Sequence, residues 1–333
     1  MSDANVTIEQ VARRAGVSRS TVSRVVNGGD RVSPEALEAV RRAIAELRYV
    51  PNRAARTLAS KQTRAIALVV PEDTSRVFGD PFFAAIVAGI SAGLADSDHI
   101  LNLIIASDDP GSKATSYLEA GGVDGAIIVS HHLSDTYIDR IARAVPVVFG
   151  GRPLVVGDDD FYVDVDNVAG GRVATQHLVS RGARRIGTIS GPLDMPAGVD
   201  RLEGFRAALA EAGLTEGPIE EGDFSLQSGA DAARRLVEAG DVPEALFVAS
   251  DLMARGAIGV LREHGLRVPD DVAVIGFDDS PVATSMRPEL TTVRQPSRDQ
   301  GEAMTGVLLA RLRGEEPTRA TILPTELVIR ESA

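Results

Sequence analysis

Apolar residues recur at helical spacing through the first fifty positions. Thr7-Ile8-Glu9-Gln10 has the form of a capping box, in which a Thr hydroxyl and a Gln amide satisfy backbone N–H groups at a helix start. It predicts a helix from Ile8 to about Ala15, ended by Gly16. Ser18 is a second N-cap, opening a short helix to about Val26, and Val11, Ala15, Val17, Val22 and Val25 supply the faces that lock the two together. Two short helices across a Gly-containing turn form a helix-turn-helix. A third helix starts at Ser33 with Pro34 in its first position, and its stripe of Leu37, Val40, Ile44 and Leu47 closes a three-helix core. From Asn52 to Lys61 the pattern allows one more helix, rich in Ala and Arg and too short to be stable alone in water.

Beyond residue 64 the period changes. Apolar runs at Ala65–Val70, Leu101–Ile105, Ala126–Val129, Val145–Phe149, Ile186–Ser190, Ala245–Ala249 and Val272–Phe277 alternate with amphipathic stretches. Predominantly apolar runs without strict alternation suit strands buried on both faces, so the fold class is α/β with doubly wound parallel sheets, and the length of the region calls for two of them. The expected organisation is a headpiece over 1–51, a hinge over 52–63 and a two-lobed core over 64–333. Its first lobe covers about 64–162 plus 296–320, and its second about 163–295 plus 321–333.

Composition changes this picture at two points. The chain of 333 residues has a formal net charge of −12, which looks wrong for a nucleic-acid binder until it is divided. Residues 1–61 hold 11 basic against 6 acidic side chains, and the remainder 24 against 41, so a basic module of +5 precedes an acidic body of −17. There is no cysteine, no leader-like charged and apolar start, and no apolar run long enough to cross a bilayer. A cytoplasmic location with no membrane partner is expected. His131 and His132 are adjacent and project differently, which argues against a metal site, and no cofactor is expected. A Walker A lysine motif, a nucleophile elbow and HExxH are all missing, so the sequence gives enzyme chemistry no support.

The segment Val6 to Ser18, continuing through Ser20-Thr21-Val22-Ser23-Arg24-Val25-Val26-Asn27, resembles the headpiece of LacI-family transcriptional regulators. Tyr49-Val50-Pro51-Asn52-Arg53-Ala54-Ala55-Arg56-Thr57-Leu58-Ala59 resembles that family's hinge. The likeness then covers essentially the whole chain and implies a two-lobed, periplasmic-binding-protein-like core. A recognition helix enters the major groove with its N-terminal side chains nearest the base edges, so Arg19, Ser20 and Arg24 are the candidates for reading bases, and they match the family's specificity positions. Thr7, Ser18, Thr21, Ser23, Asn27 and Ser33 carry small polar groups suited to phosphate oxygens, at positions the family uses in that way. The resemblance also implies that Asn52, Arg53, Ala55 and Leu58 meet the minor groove, with Leu58 as the wedge that opens a base step.

In the core, the resemblance places Phe82, Phe83, Arg201, Phe224, Asp278 and Gln295 along an effector cleft, with Arg152 and Asp251 as further candidates. Arg and Asp can each bridge neighbouring hydroxyls while aromatic faces cover a sugar's C–H surface, so the chemistry suits a polyol. The lactose-type members carry an Asp where this chain has Gly151. The Gly150-Gly151-Arg152-Pro153 stretch, with Asp194 to Val199 and Asp223-Phe224, is more similar to actinobacterial regulators of cellobiose and cello-oligosaccharide use. The resemblance therefore implies a homodimeric repressor of carbohydrate-use genes, bound to palindromic double-stranded operator DNA and released by a small β-glucoside. A purine corepressor is the alternative, because the same aromatics could sandwich a nucleobase. A transporter-feeding solute-binding protein shares the core but not the headpiece.

Overall fold

The computed structural model describes residues 6–26, 32–49, 62–107, 112–153 and 155–333. The chain forms two compact units, 1–63 and 64–333. Asn27 and the hinge positions Asn52, Arg53, Ala55 and Leu58 lie outside the described residues.

In the first unit, α1 spans Ile8–Ala15, α2 Arg19–Val26 and α3 Pro34–Leu47. The capping box forms as the sequence implies: the Gln10 backbone N–H donates to Thr7 Oγ1 at 3.4 Å, and the Thr7 backbone N–H donates to Gln10 Oε1 at 2.7 Å. Gly16 ends α1 in the left-handed conformation at φ 66°, which costs glycine least. Val11, Ala12, Val22, Val40 and Ala43 are buried where the three helices meet.

The second unit contains two six-stranded sheets. The first is built from β1 (Ala65–Val70), β2 (Ile100–Ile105), β3 (Gly125–Val129), β4 (Val147–Gly150), β5 (Tyr162–Val165) and β11 (Ala320–Leu323), in the order β2-β1-β3-β4-β5-β11. The second repeats the winding with β6 (Ile186–Ser190), β7 (Ile219–Glu221), β8 (Ala245–Val248), β9 (Ala273–Asp278), β10 (Thr291–Arg294) and β12 (Glu326–Val328), in the order β7-β6-β8-β9-β10-β12. Among the described strands, only β12 runs antiparallel to its neighbour. β1 shows why its sequence is continuously apolar: Ala65, Ala67 and Val69 enter one hydrophobic cluster and Ile66, Leu68 and Val70 the cluster on the opposite face.

The change of lobe comes slightly later than the apolar pattern suggests. β5 pairs with β4 and β11 pairs with β5, so residues to 165 and 320–323 complete the first sheet, where the sequence had assigned 163 onward and 321–333 to the second lobe. The chain therefore crosses between lobes after Val165, between β10 and the next helix, and between β11 and β12.

Around the sheets, α4 (Thr74–Gly79) and α5 (Pro81–Gly93) follow β1, α8 (Asn167–Ser180) follows β5, and α9 (Pro196–Glu211) follows β6; α6 (Lys113–Glu119) and α7 (Ile138–Ala144) cover the first sheet's other face. The second lobe adds α10 (Leu226–Glu238), α11 (Asp251–Glu263) and the short α12 (Pro281–Thr284), while α13 (Ser297–Leu312) returns to the first lobe beside α5. One helix contact bears directly on the cleft. A Cβ at Gly171 on α8 would stand 2.3 Å from the Arg201 carbonyl oxygen, and one at Gly204 on α9 would stand 2.1 Å from that of Val168. The two helices thus meet backbone to backbone. Gly171→Ala is expected to push α9 outward at a cost of about 1–3 kcal/mol and to weaken ligand binding by displacing Arg201. Chemical denaturation together with ligand titration checks both effects.

Candidate functional site

On the headpiece, α2 presents Arg19, Ser20 and Arg24 to solvent. Arg19 Nε lies 3.2 Å from Glu9 Oε1, with its side chain 72% exposed, a pairing too exposed to hold it against a competing phosphate or base. The Ser18 oxygen accepts the Thr21 N–H at 3.1 Å, and hydroxyls of Ser18, Ser20 and Thr21 are linked at 2.8 Å. Thr7 and Ser33 cap helices through their oxygens, which leaves each hydroxyl proton available to an anion. Thr21 and Ser23 are half-buried on the same helix.

In the core, a cavity of about 80 Å³ opens between the lobes, lined from β1, β3, β4, β5, β6, β9 and β10 at or just beyond their carboxyl ends. Doubly wound sheets bind ligands there, because the connections leave in opposite directions and leave a crevice. Arg201 anchors the second-lobe wall. It is 5% exposed, its Nε donates to Asn167 Oδ1 at 2.9 Å, Nη1 to the Ala249 carbonyl at 2.6 Å and Nη2 to Gln295 Oε1 at 3.4 Å. The guanidinium carbon sits 3.6 Å from the Phe277 ring centroid. Asp278 is a loose ion partner at 3.9 Å, joined more closely through Gln295, whose Nε2 donates to Asp278 Oδ1 at 2.5 Å.

Carboxyls surround this cation. Burial, reinforced by Asp251, pushes Asp278 well above the usual carboxylate range, with Arg201 opposing. Burial also raises Asp80 and Asp164, and brings Asp251 up to about 7. Burial lowers Arg201, while the four aspartates pull it back. Three cleft residues adopt left-handed backbone without being glycine: Ser130 at φ 59°, Phe224 at 65° and Asp278 at 122°. Such conformations cost of order 1–3 kcal/mol each and persist where the surroundings impose them, typically at binding sites.

Of the sequence candidates, Phe82, Arg201, Phe224, Asp278 and Gln295 share this cavity. Three do not. Phe83 is 2% exposed inside the first lobe's core, edge-on to Phe82 at 5.3 Å, because consecutive helical side chains diverge by a quarter turn and only one can face the cleft. Asp251 is fully buried behind the wall, where its carboxylate accepts from the Thr292 hydroxyl at 2.6 Å and the Ser280 N–H at 2.8 Å. Arg152 clasps the lobes together: its guanidinium forks onto Asp200 of α9 at 2.9 and 2.5 Å, and its N–H donates to Asp164 Oδ2 at 2.9 Å. Sequence reasoning passed over Asp80, His131, Asp164, Asn167 and Gln300, all on the cavity wall. Asp80 alone left a signal, as an N-cap directly before Pro81 at the end of the first βα connection.

Two further contacts join the lobes beside the cleft. Arg76 Nη1 donates to the Asp223 carbonyl at 2.7 Å, and His132 Nδ1 stands 3.0 Å from both oxygens of Asp194. Hydrogen bonding to Glu72 first, and to Asp194 second, outweighs burial and raises the His132 imidazole to about 9. This contribution is complete below about pH 6.5, where the imidazole is charged in folded and unfolded chains alike, and is lost as pH rises through about 9. The melting temperature of the wild type should therefore exceed that of His132→Asn at pH 6 and converge on it near pH 9.5, as thermal melts of the two proteins across that range would show.

A helix-turn-helix carried on the same chain as a two-lobed core with a polar, aromatic-walled cleft defines a ligand-responsive DNA-binding regulator. Residues 7–52 match the model described as "Bacterial regulatory proteins, lacI family", and residues 175–333 match that of the periplasmic binding protein-like domain. The regulator CelR of Thermobifida fusca is 48% identical over 335 residues, covering 98% of each chain. Among solved structures, the CelR–cellobiose complex aligns at 44% identity with a TM-score of 0.79, covering 99% of this chain and 100% of the other. The lac repressor dimer bound to operator and anti-inducer aligns at 32% identity with a TM-score of 0.86, covering 99% of each. The chain belongs to the LacI family of bacterial transcriptional regulators. No helix among the described residues is long and apolar enough to cross a membrane.

Proposed function

We propose that this protein is a cytoplasmic, non-catalytic repressor of carbohydrate-use genes that holds a palindromic operator as a homodimer and releases it when cellobiose or a related β-glucoside enters the cleft. Arg19, Ser20 and Arg24 read bases in this account. Thr7, Ser18, Thr21, Ser23, Asn27 and Ser33 hold phosphates, and Asn52, Arg53, Ala55 and Leu58 engage the minor groove. In the cleft, Arg201, Asp278 and Gln295 grip hydroxyls between the faces of Phe82 and Phe224.

The observation that carries the reading is the hydrogen-bonded Arg201–Gln295–Asp278 wall, in a cavity that Phe82 and Phe224 also line, in a chain 48% identical over nearly its full length to CelR. The Gly151 position supports a sugar held differently from that of lactose-type members: it lies on the cavity wall at φ 96° with open space where a side chain would stand. A purine corepressor has less support, because the solved structure that aligns at 44% identity over 99% of this chain is a CelR–cellobiose complex. Calorimetric titration of the full chain with cellobiose tests this directly. Saturable binding, with no comparable signal from hypoxanthine or guanine, is expected; the reverse pattern would establish the corepressor instead.

A further inference from the structure

Two side chains on the first-lobe wall carry a hydrogen-bond acceptor that no described residue meets. His131 follows β3, is 9% exposed, and packs its ring against Phe149 with centroids 5.3 Å apart. Neither ring nitrogen makes a hydrogen bond among the described residues; the Arg152 carbonyl is near enough to favour the charged ring slightly, but not in bonding geometry. Gln300, on α13, is 4% exposed. Its Nε2 donates to the Val163 carbonyl at 2.9 Å, and its Oε1 has no donor among the described residues. Both residues line the same cavity.

Buried polar groups left unpaired cost free energy, and native proteins rarely keep them without a use. The second-lobe wall presents the opposite condition, since the side chains of Arg201, Gln295 and Asp278 are already bonded to one another and to Asn167. A neutral imidazole has one N–H and one bare nitrogen. Burial keeps this ring neutral, lowering it to about 4, so the bare nitrogen is an acceptor at physiological pH. His131 and Gln300 Oε1 together offer two buried acceptors on the lining of one cavity, which a donor-bearing ligand can satisfy.

We propose that His131 and Gln300 are specificity-determining residues of the cleft, each accepting a hydrogen bond from a hydroxyl of the bound sugar, so that the first lobe selects a ligand presenting two hydroxyl donors at that end. This rests on the β-glucoside reading above and names the groups that enforce it. His131 is also joined through the chain to His132, whose contact with Asp194 closes the lobe seam. Occupancy of the wall is thereby placed one residue from the contact that joins the lobes.

The test is calorimetric titration of the full-length protein and of His131→Phe, His131→Asn and Gln300→Met with cellobiose and its monodeoxy analogues, alongside thermal melts without sugar. His131→Phe keeps the ring against Phe149 and removes both unpaired nitrogens. It is expected to melt at or above the wild-type temperature while binding cellobiose about tenfold more weakly. One monodeoxy analogue should lose about tenfold against the wild type and little against His131→Phe, and His131→Asn, which restores an acceptor, should recover part of the affinity. Gln300→Met should show the same insensitivity toward a different deoxy position. Wild-type affinity in both His131→Phe and Gln300→Met, or an early-melting His131→Phe with unchanged deoxy sensitivity, overturns the proposal and leaves the sugar reading standing. No binding of cellobiose by the wild type overturns the sugar reading, and this proposal with it.

Discussion

Arg201→Ala is expected to abolish cellobiose binding and to destabilise the core by about 3–5 kcal/mol, the cost typical of removing one member of a buried ionic cluster. The substitution strips a donor from Asn167, the Ala249 carbonyl and Gln295 at once, and leaves Asp278 without its nearest cation. Protonation of Asp278 limits the damage, because its carboxyl is already pushed well upward. Arg201 therefore holds the wall together as well as facing the ligand, and the two roles separate in other variants. Arg201→Lys keeps the charge but loses the planar fork, so it should be far less destabilised and still bind poorly. Arg201→Met combined with Asp278→Asn removes both charges and should regain stability without regaining the sugar. Denaturant melts and calorimetry on the four proteins check this. A stable Arg201→Ala that binds cellobiose normally would remove the residue from the site.

Arg24→Ala should weaken operator binding by about 1–3 kcal/mol while changing affinity for random DNA little, if its guanidinium reads a base. The side chain is exposed on α2, the helix whose start carries Arg19 and Ser20, and Val22 anchors the opposite face in the headpiece core. Burial of that face fixes which side chains can reach the groove, so Arg24 loses nothing structurally on truncation. Competition binding against selected and random duplexes at one salt concentration separates the outcomes. An equal loss on both DNAs would assign Arg24 to a phosphate, with the salt dependence falling by about one counterion.

Where local pattern and structure agree, the residues involved obey only their own neighbours. The capping box at Thr7, the cap at Ser33 and the wholly apolar β1 needed no distant partner to be legible. β5 was overlooked because Tyr-Val-Asp-Val interrupts an apolar run with Asp164, a charge placed there by the cleft. The short strands β7, β10, β11 and β12 escaped for want of length, carrying three or four residues each. Among site residues, the resemblance brought Arg201, Asp278 and Gln295 to one place, and the backbone strain at Phe224 and Asp278 fits that assignment. It could not separate Phe82 from Phe83, nor foresee that Arg152 reaches Asp200 across forty-eight positions. Such pairings depend on how the lobes close. His131 was discarded as half of an adjacent histidine pair, and only its burial without a partner gives it meaning.

The central claim is that one chain carries two coupled sites, so that sugar in the cleft lowers affinity for DNA at the headpiece. Fluorescence anisotropy of an operator duplex, obtained by selecting random DNA on the full-length protein, measures that coupling when titrated with and without saturating cellobiose. The account predicts that cellobiose weakens operator binding by roughly 5- to 150-fold, corresponding to a coupling of about 1–3 kcal/mol, and that operator DNA weakens cellobiose binding by the same factor. Operator affinity that stays the same or tightens when cellobiose occupies the cleft would contradict it.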